Sequence, residues 1–118
     1  MKSFQFIVVK KKYKGRIVVL IDEHTGSGME LEAMLFRSLN CTLIGRNTGG
    51  YDGSCICFKV RNDFCACYSG DKVLYPDGSQ TQRIGIAPDI CVERRYQDIV
   101  RSTDEILDRA VKYIHDTE

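Results

Sequence analysis

The sequence predicts a single α/β domain built around parallel strands. Arg16–Ile21 (RIVVLI) is a continuous, largely β-branched run between Gly15 and Asp22, which is the composition of a strand buried on both faces. A helical pattern over Met29–Leu39 follows, and Thr42–Gly45 is a second short strand. This strand–helix–strand order favours parallel pairing, because a crossover helix returns the chain to the edge of the sheet where it started.

Length and composition indicate one domain over residues 1–118, since no low-complexity linker or internal repeat divides the chain. Hydrophobic residues make up 43% and charged residues 28%, a balance that excludes a disordered chain. A net charge of +1 gives no field that would attract nucleic acid, and no segment approaches a membrane span. Six cysteines without a signal peptide favour a cytoplasmic protein, unless a longer precursor carries an upstream signal.

The elements of the N-terminal half follow from apolar spacing and turn residues. Phe4–Val9 is predicted as a short strand that ends at the lysines of 10–12. Between the two later strands, apolar residues recur at helical spacing over Met29–Leu39, which predicts a helix with a wide buried face. Asp22–Gly28 (DEHTGSG), which joins the first buried strand to this helix, is a polar turn containing glycine.

A β-hairpin is predicted in the middle of the chain. Cys55–Val60 and Phe64–Tyr68 have strand composition, and the polar residues Arg61–Asp63 between them form the turn. Further on, Tyr75–Gly78 (YPDG) predicts a second turn, because Pro presets φ and Gly accepts positive φ.

The C-terminal part is predicted to contribute strands and a helix. Ile84–Val92 is expected to form a strand pair broken at Pro88. Ser102–Glu105 (STDE) is a capping box, and the apolar residues after it recur at helical spacing as far as Ile114. The chain therefore closes on a helix with a core-facing stripe.

Ser27 lies in the turn between the first buried strand and the first helix. Such a turn holds a hydroxyl at the edge of a sheet, and the N–H groups of the first helical turn point at an oxyanion formed there. Gly26 and Gly28 permit unusual backbone angles and close substrate approach, and the Gly28 N–H is a candidate oxyanion donor. The alternative is a plain helix cap, since Ser27 and Glu30 also form a capping box. Local chemistry alone favours the cap.

Three sequence blocks occur in a fixed order between residues 16 and 92. Arg16–Glu30 (RIVVLIDEHTGSGME) carries Thr-Gly-Ser-Gly-x-Glu, Gly45–Gly50 (GRNTGG) carries Gly-x-x-Thr-x-Gly, and Tyr75–Val92 (YPDGSQTQRIGIAPDICV) carries Pro-x-Gly and Gly-Ile-x-Pro-Asp-Ile-x-Val. Together they resemble the C-terminal part of the catalytic domain in the C-terminal-processing (tail-specific and tricorn-like) serine peptidase family. The double glycine of the second block is closer to the tricorn-like branch.

The resemblance implies a fold and a chemistry. The fold would be Clp-protease/crotonase-like, with a strand–helix–strand unit, a β-hairpin and a C-terminal helix. Ser27 would be the acylating nucleophile, the Gly28 N–H part of its oxyanion hole, and Gly49 and Gly50 part of the substrate-binding loop. The partner would be a peptide or protein substrate bound as an extended strand, and no cofactor, nucleic acid or membrane is expected.

The general base departs from the family pattern. The tail-specific branch has a lysine directly after Gly-x-x-Thr-x-Gly, whereas this chain has Tyr51 followed by Asp52. A tyrosine, with an ordinary pKa of about 10, stays protonated near neutral pH and cannot accept the serine proton. The tricorn-like branch takes a histidine from an earlier segment; here His24, three residues before Ser27, is a candidate local base but favoured as an exposed turn residue, and His115 lies on the C-terminal helix. The base is therefore expected outside this segment, or lost, and a catalytically inactive peptide-binding or assembly module is the alternative function.

The hairpin strands carry four cysteines in a CxC…CxC pattern, at Cys55, Cys57, Cys65 and Cys67. Residues two apart share a face of a strand, so these thiols could form a zinc site. Core packing is favoured over zinc, because strand cysteines commonly behave as small buried hydrophobes. Cys41 and Cys91 fit strand interiors, and no disulfide is expected. A chain of this length would leave sheet edges and apolar surface uncovered, so we also expect self-association, with a homodimer as one form.

Overall fold

The computed structural model describes residues 13–117, so the predicted strand Phe4–Val9 lies outside the described residues. The elements, in chain order, are β1 Val18–Ile21, α1 Gly28–Ser38, β2 Thr42–Gly45, β3 Cys55–Arg61, β4 Phe64–Ser69, β5 Ile90–Cys91, α2 Tyr96–Arg101 and α3 Glu105–Asp116. The predicted α/β class, with its strand–helix–strand unit, hairpin and C-terminal helix, is confirmed.

The main sheet is parallel, in the order β1-β2-β5. Val18 of β1 lies opposite Thr42 of β2, and the register continues to Ile21 opposite Gly45. On the other edge of β2, Ile44 lies opposite Ile90. Because all three strands run the same way, the turn after β1 and the loop after β2 leave the same end of the sheet.

Helices pack on both faces of this sheet because β2 sends alternate side chains to opposite sides. Leu43, fully buried, packs with Ile21 and with Ala33 of α1. Its neighbour Ile44, also fully buried, packs with Ile106 of α3. The sheet is therefore the middle layer between α1 and α3, which is why β2 is the most buried strand among the described residues.

The hairpin β3–β4 forms a separate antiparallel sheet whose side chains are almost all exposed. Core packing of its cysteines was therefore a wrong expectation, since both CxC pairs face solvent rather than the core. The expected absence of disulfides is also overturned, because Cys57 and Cys67, directly opposite in the register, are bonded. Cys91 was expected in a strand interior and is exposed at the sheet edge.

The C-terminal half differs from prediction in three places. Only Ile90–Cys91 of the predicted strand pair 84–92 forms a strand, because Arg83 and Gly85 have φ of 67° and 78° and turn the chain. The short helix α2 was not predicted. Ser102 was expected to start the capping box of α3 but ends α2 in a left-handed conformation, and the side chain of Asp104 caps α3 instead. Within residues 13–117, no helix is long and apolar enough to span a bilayer.

Candidate active site

The turn between β1 and α1 is organised by Asp22. Its carboxylate accepts the backbone N–H of His24 at 2.9 Å and that of Thr25 at 3.2 Å. The Thr25 hydroxyl accepts the Asp22 N–H in return. The Thr25 carbonyl in turn accepts the N–H of Gly49 at 2.9 Å. The turn that carries Ser27 is therefore joined to the glycine-rich loop after β2.

Ser27 precedes the first residue of α1 and has φ 52° and ψ −127°. A serine that caps a helix through its hydroxyl has extended backbone angles, with φ negative. Positive φ is costly for a residue with a Cβ, by about 1–3 kcal/mol, and residues held in such conformations cluster at functional sites. A nucleophilic serine on a strained strand-to-helix turn has this arrangement. The hydroxyl is exposed rather than enclosed.

Glu30 is the buried anchor of this turn. Its side chain is 0% exposed, and one carboxylate oxygen accepts the Thr48 hydroxyl at 2.5 Å and the Gly50 N–H at 2.8 Å. The other oxygen accepts the N–H of Tyr51 at 3.0 Å and that of Ser27 at 3.2 Å. A buried carboxylate needs such donors because its desolvation is costly. Glu30 therefore fixes the strained serine relative to the loop 48–51.

Gly28 begins α1 next to the serine hydroxyl. Nothing lies within 4 Å of the position that a Cβ would occupy there, so the space over this residue is open. Within residues 13–117 its N–H has no acceptor outside the helix, as is usual for the first N–H groups of a helix. An N–H at this end of α1 is directed at approaching negative charge, the arrangement that an oxyanion donor requires.

Tyr51 covers the opposite side of the turn. Its ring lies so close to Gly26 and Gly49 that a Cβ on either would fall about 2 Å from ring atoms, at 1.9 and 2.0 Å. The hydroxyl donates to the His24 carbonyl at 3.2 Å. A side chain at either glycine would force this ring, which is itself 52% exposed, to move away. Tyr51 lies against the turn that carries Ser27 and closes it on one side.

Asp52, the next residue, is 4% exposed. One carboxylate oxygen accepts the Gly53 N–H at 2.6 Å, while Oδ2 is buried and has no donor among the described residues. The Asp52 carbonyl accepts the side-chain amide of Gln82 at 2.7 Å. Buried acceptors are normally paired, so this oxygen distinguishes Asp52 from the fully bonded Glu30.

The predicted substrate-binding glycines have their N–H groups engaged within the loop. Gly49 donates to the Thr25 carbonyl and Gly50 to the Glu30 carboxylate. The Gly50 carbonyl accepts the Arg83 N–H at 2.6 Å. Contacts from this loop to a substrate would therefore use other groups, such as the exposed face of Gly49.

The histidines lie apart from the serine hydroxyl. The side chain of His24 is 78% exposed, and no hydrogen bond joins it to Ser27 in the described part of the chain. His115 is in the last turn of α3, whose end at Thr117 is bonded to Arg16 before β1. Ser27, in contrast, follows the other end of β1. The sheet and about 15 Å of helix α3 therefore lie between His115 and Ser27.

Arg46 supports the same turn from the β2 side. Its guanidinium donates to Glu23 and Glu105, each at 2.8 Å, and lies 4.0 Å from Asp22. The hydrogen bond from Arg46 holds the pKa of Glu23 at about 2, well below its ordinary value. The pKa of Glu105 is lowered too, first by backbone N–H donation and then by Arg46. This cluster ties the turn after β1 to the start of α3.

A sequence profile of peptidase family S41 matches residues 2–92. The chain belongs to peptidase family S41. The expected resemblance is thereby confirmed. Among curated proteins no sequence matches the chain.

Several solved structures share the fold of this chain. A candidate peptidase from Parabacteroides merdae ATCC 43184 superimposes with a TM-score of 0.75 at 25% identity, covering 87% of this chain and 33% of that one. Tricorn protease gives 0.78 at 20% identity, with 88% and 10% covered. Mature CPAF gives 0.69 at 21% identity, with 76% and 18% covered. The S41 chain therefore has the fold of these proteins and spans about a third or less of the length of each.

From the sequence, Ser27 and Gly28 were predicted in the turn after β1, and Tyr51 and Asp52 were named only as the residues that follow the glycine-rich block; the structure brings these two loops of the S41 chain together. No site role was assigned to Glu30 or Thr48 from the sequence. Both stand in the quoted family blocks, as the Glu of the serine block and the Thr of the glycine block. Each is a polar residue that belongs to a family block and has no catalytic role there. In the sequence, this was the available indication that the two side chains bond to each other.

Proposed function

We propose that this chain carries the nucleophile of a serine peptidase site, with Ser27 as the acylating residue. The observation that supports it most directly is the backbone of Ser27, which is held at φ 52° at a strand-to-helix turn. A helix cap would not need this strain, whereas a nucleophile that must face solvent beside free helix N–H groups would. Membership of peptidase family S41 supports the same chemistry.

In the proposed reaction, the Ser27 Oγ attacks the carbonyl carbon of a peptide bond. Its proton passes to a base, and the carbonyl oxygen becomes an oxyanion that the Gly28 N–H stabilises. The carbon–nitrogen bond then breaks as the amine leaves with a proton, and water hydrolyses the acyl-enzyme. Glu30 takes no part in these bond changes; it positions Ser27 through the N–H that it accepts.

The base is proposed to come from outside the described residues. Within residues 13–117, neither histidine is bonded to Ser27, and Tyr51 uses its hydroxyl to donate to His24. The S41 chain would then need a further segment or subunit for full turnover, while keeping an accessible serine on its own.

The substrate is proposed to be an extended peptide or protein segment. A groove of about 780 Å³ begins at Gly50 and Tyr51, beside the serine turn, and continues along Lys72 and Arg83. Its lining is polar and carries both Lys72 and Arg83 and the acidic Asp52 and Asp71, so it offers donors and acceptors to a peptide backbone. An extended segment could lie here with its backbone available for hydrogen bonds.

An activated peptide ester tests the nucleophile without demanding a strong base. After the free thiols have been alkylated, we expect a p-nitrophenyl ester of an extended peptide to leave one acyl group on the chain, seen by mass spectrometry. Ser27→Ala should abolish the adduct, whereas Ser38→Ala, at the exposed end of α1, should leave it unchanged. Equal adducts in the Ser27→Ala and unmodified chains would overturn the proposal.

An inactive peptide-binding or assembly module is the second candidate. The observation that favours it is Tyr51, which occupies the sequence position of the family lysine and closes the turn with its ring. Fluorescence anisotropy of a labelled extended peptide, measured beside the ester experiment, separates the two functions. Saturable binding of a labelled extended peptide, together with no acylation by the ester, would support the binding module and exclude the peptidase.

A further inference from the structure

One face of the hairpin β3–β4 carries a row of sulfur atoms. Cys57 pairs with Cys67, Cys55 with Ser69 and Lys59 with Cys65. Because alternate residues of a strand share a face, the four hairpin cysteines lie on the same side. They are exposed, so their thiols are open to ions and reagents.

Three of these sulfurs form a compact group. The Sγ atoms of Cys55, Cys57 and Cys67 all lie within 4.8 Å of one another, and those of Cys55 and Cys57 are 3.8 Å apart. Zinc–sulfur bonds are about 2.3 Å, so two thiolates on one tetrahedral ion are separated by about 3.8 Å. Cys55 and Cys57 therefore have the spacing of adjacent ligands on a single ion, and Cys67 is held next to them by its disulfide with Cys57.

Cys65 is outside this group. It lies opposite Lys59, four residues along β3 from Cys55. At about 3.4 Å per residue, the two positions are roughly 14 Å apart along the strand, too far for both thiolates to share an ion. The four-cysteine zinc site that the sequence pattern suggested is therefore reduced to three thiols, with a fourth position left for solvent.

An ion held by sulfurs of both β3 and β4 would cross-link the two strands and stabilise the hairpin. Within residues 13–117 the hairpin is not paired with the main sheet, and an isolated two-stranded hairpin is marginally stable in water. On its other face, Phe58 and Tyr68 form an edge-to-face aromatic pair with ring centroids 6.2 Å apart. A link between β3 and β4 on the sulfur face would complement this contact.

We propose that the reduced hairpin binds one thiophilic d10 cation of the Zn²⁺ class through Cys55, Cys57 and Cys67. Soft thiolates select such ions over Mg²⁺ or Ca²⁺. The Cys57–Cys67 disulfide is the competing state, because it removes two ligands. A phosphine reductant gives two electrons to this disulfide and becomes the phosphine oxide, while one water molecule supplies that oxygen and the two protons of the thiols. Metal binding then releases the three thiol protons.

Cadmium titration tests the site on the full chain. The chain is reduced with a phosphine, freed of reductant under inert gas and titrated with Cd²⁺, while thiolate-to-cadmium charge transfer is followed in the ultraviolet. We expect saturation at one equivalent, and Cd²⁺ should also displace Zn²⁺ that has been bound beforehand. Untreated chain with the Cys57–Cys67 disulfide should not develop the band.

Two single variants of the same face make the test specific. Cys55→Ser should weaken cadmium binding by at least about tenfold, since even second-shell changes cost that much, whereas Cys65→Ser should leave it within about twofold. Cys55→Ser keeps the Cys57–Cys67 pair, so a folded hairpin remains available. Equal losses in the two variants, or no saturation by one equivalent, would overturn the proposal.

Discussion

Ser27 and Glu30 form a unit in which one residue is strained and the other holds it. The serine has a backbone conformation that costs about 1–3 kcal/mol for a residue with a Cβ. Glu30 offsets this by accepting the Ser27 N–H together with donors from Thr48, Gly50 and Tyr51. Because the carboxylate is fully buried, these contacts are not exchanged for water.

Replacing Glu30 with Gln should destabilise the chain by about 3 kcal/mol. In the amide, an NH₂ group replaces one of the two carboxylate oxygens, so the donors that this oxygen accepts would face another donor. The substitution also removes the negative charge that strengthens each hydrogen bond. Denaturant unfolding measures the change. Glu32→Gln is the matched control, since Glu32 lies two residues along α1 and is exposed. A loss below about 1 kcal/mol for Glu30→Gln would show that the carboxylate does not anchor the turn.

At the scale of residues, the sequence predicted the identity of the site residues better than it predicted their contacts and backbone conformations. Ser27, Gly28 and Tyr51 were singled out from motifs and spacing. The sequence also predicted a capping box at Ser27 and Glu30, and its Glu30 half is formed, since this carboxylate accepts the Ser27 N–H. What the sequence did not indicate is the φ of 52° at Ser27. Backbone strain and the convergence of four donors on one carboxylate depend on tertiary contacts between segments 20 residues apart, which local patterns do not contain.

At the scale of elements, helix α3 shows how a neighbouring helix moves a cap. Ser102–Glu105 matches a capping box, but α2 ends at Arg101 and takes Ser102 as its left-handed C-cap. The helix start is thereby displaced, and Asp104 accepts the N–H groups of Ile106 and Leu107. Because α2 has no buried residue, its sequence lacks a clear helical spacing of apolar residues. The sequence therefore did not indicate that α2 displaces the start of α3.

The structure predicts that replacing Asp104 and replacing Ser102 lower the free energy of unfolding by different amounts. Asp104→Ala should lower the free energy of unfolding by about 1 kcal/mol, because two N–H groups of α3 lose their acceptor. Ser102→Ala should change it by less than about 0.5 kcal/mol. Paired denaturant titrations check this. A larger loss at Ser102 than at Asp104 would restore the capping box read from the sequence.

The Arg46 cluster predicts a pH dependence that links the turn after β1 to α3. The pKa of Glu23 is about 2 in the folded chain and about 4.5 ordinarily. Its contribution to stability is therefore present above pH 4.5 and is lost as the pH falls toward 2. Carboxyl NMR titration should give a Glu23 midpoint near 2 that moves toward 4.5 in Arg46→Gln, with Arg61→Gln on the hairpin as control. An unmoved midpoint would exclude Arg46 as the cause.

At the scale of the whole molecule, the order of elements determined what could be predicted. The parallel pairing of β1 and β2 and the layer of α1 followed from one strand–helix–strand unit. The hairpin was predicted too, but not its separation from the core, because alternation in a strand shows which residues share a face and not what covers that face. For this reason, the hairpin cysteines were assigned to a core that they do not enter.

Ser27 is proposed to be an accessible nucleophile in a preformed turn, and a fluorophosphonate probe tests this most directly. Peptide mapping by mass spectrometry after labelling should place a single phosphonyl adduct on Ser27. Labelling should be absent in Ser27→Ala and slower in Glu30→Gln, in which the turn loses its anchor. No adduct on the unmodified chain, or an adduct on another residue that survives Ser27→Ala, would contradict the account.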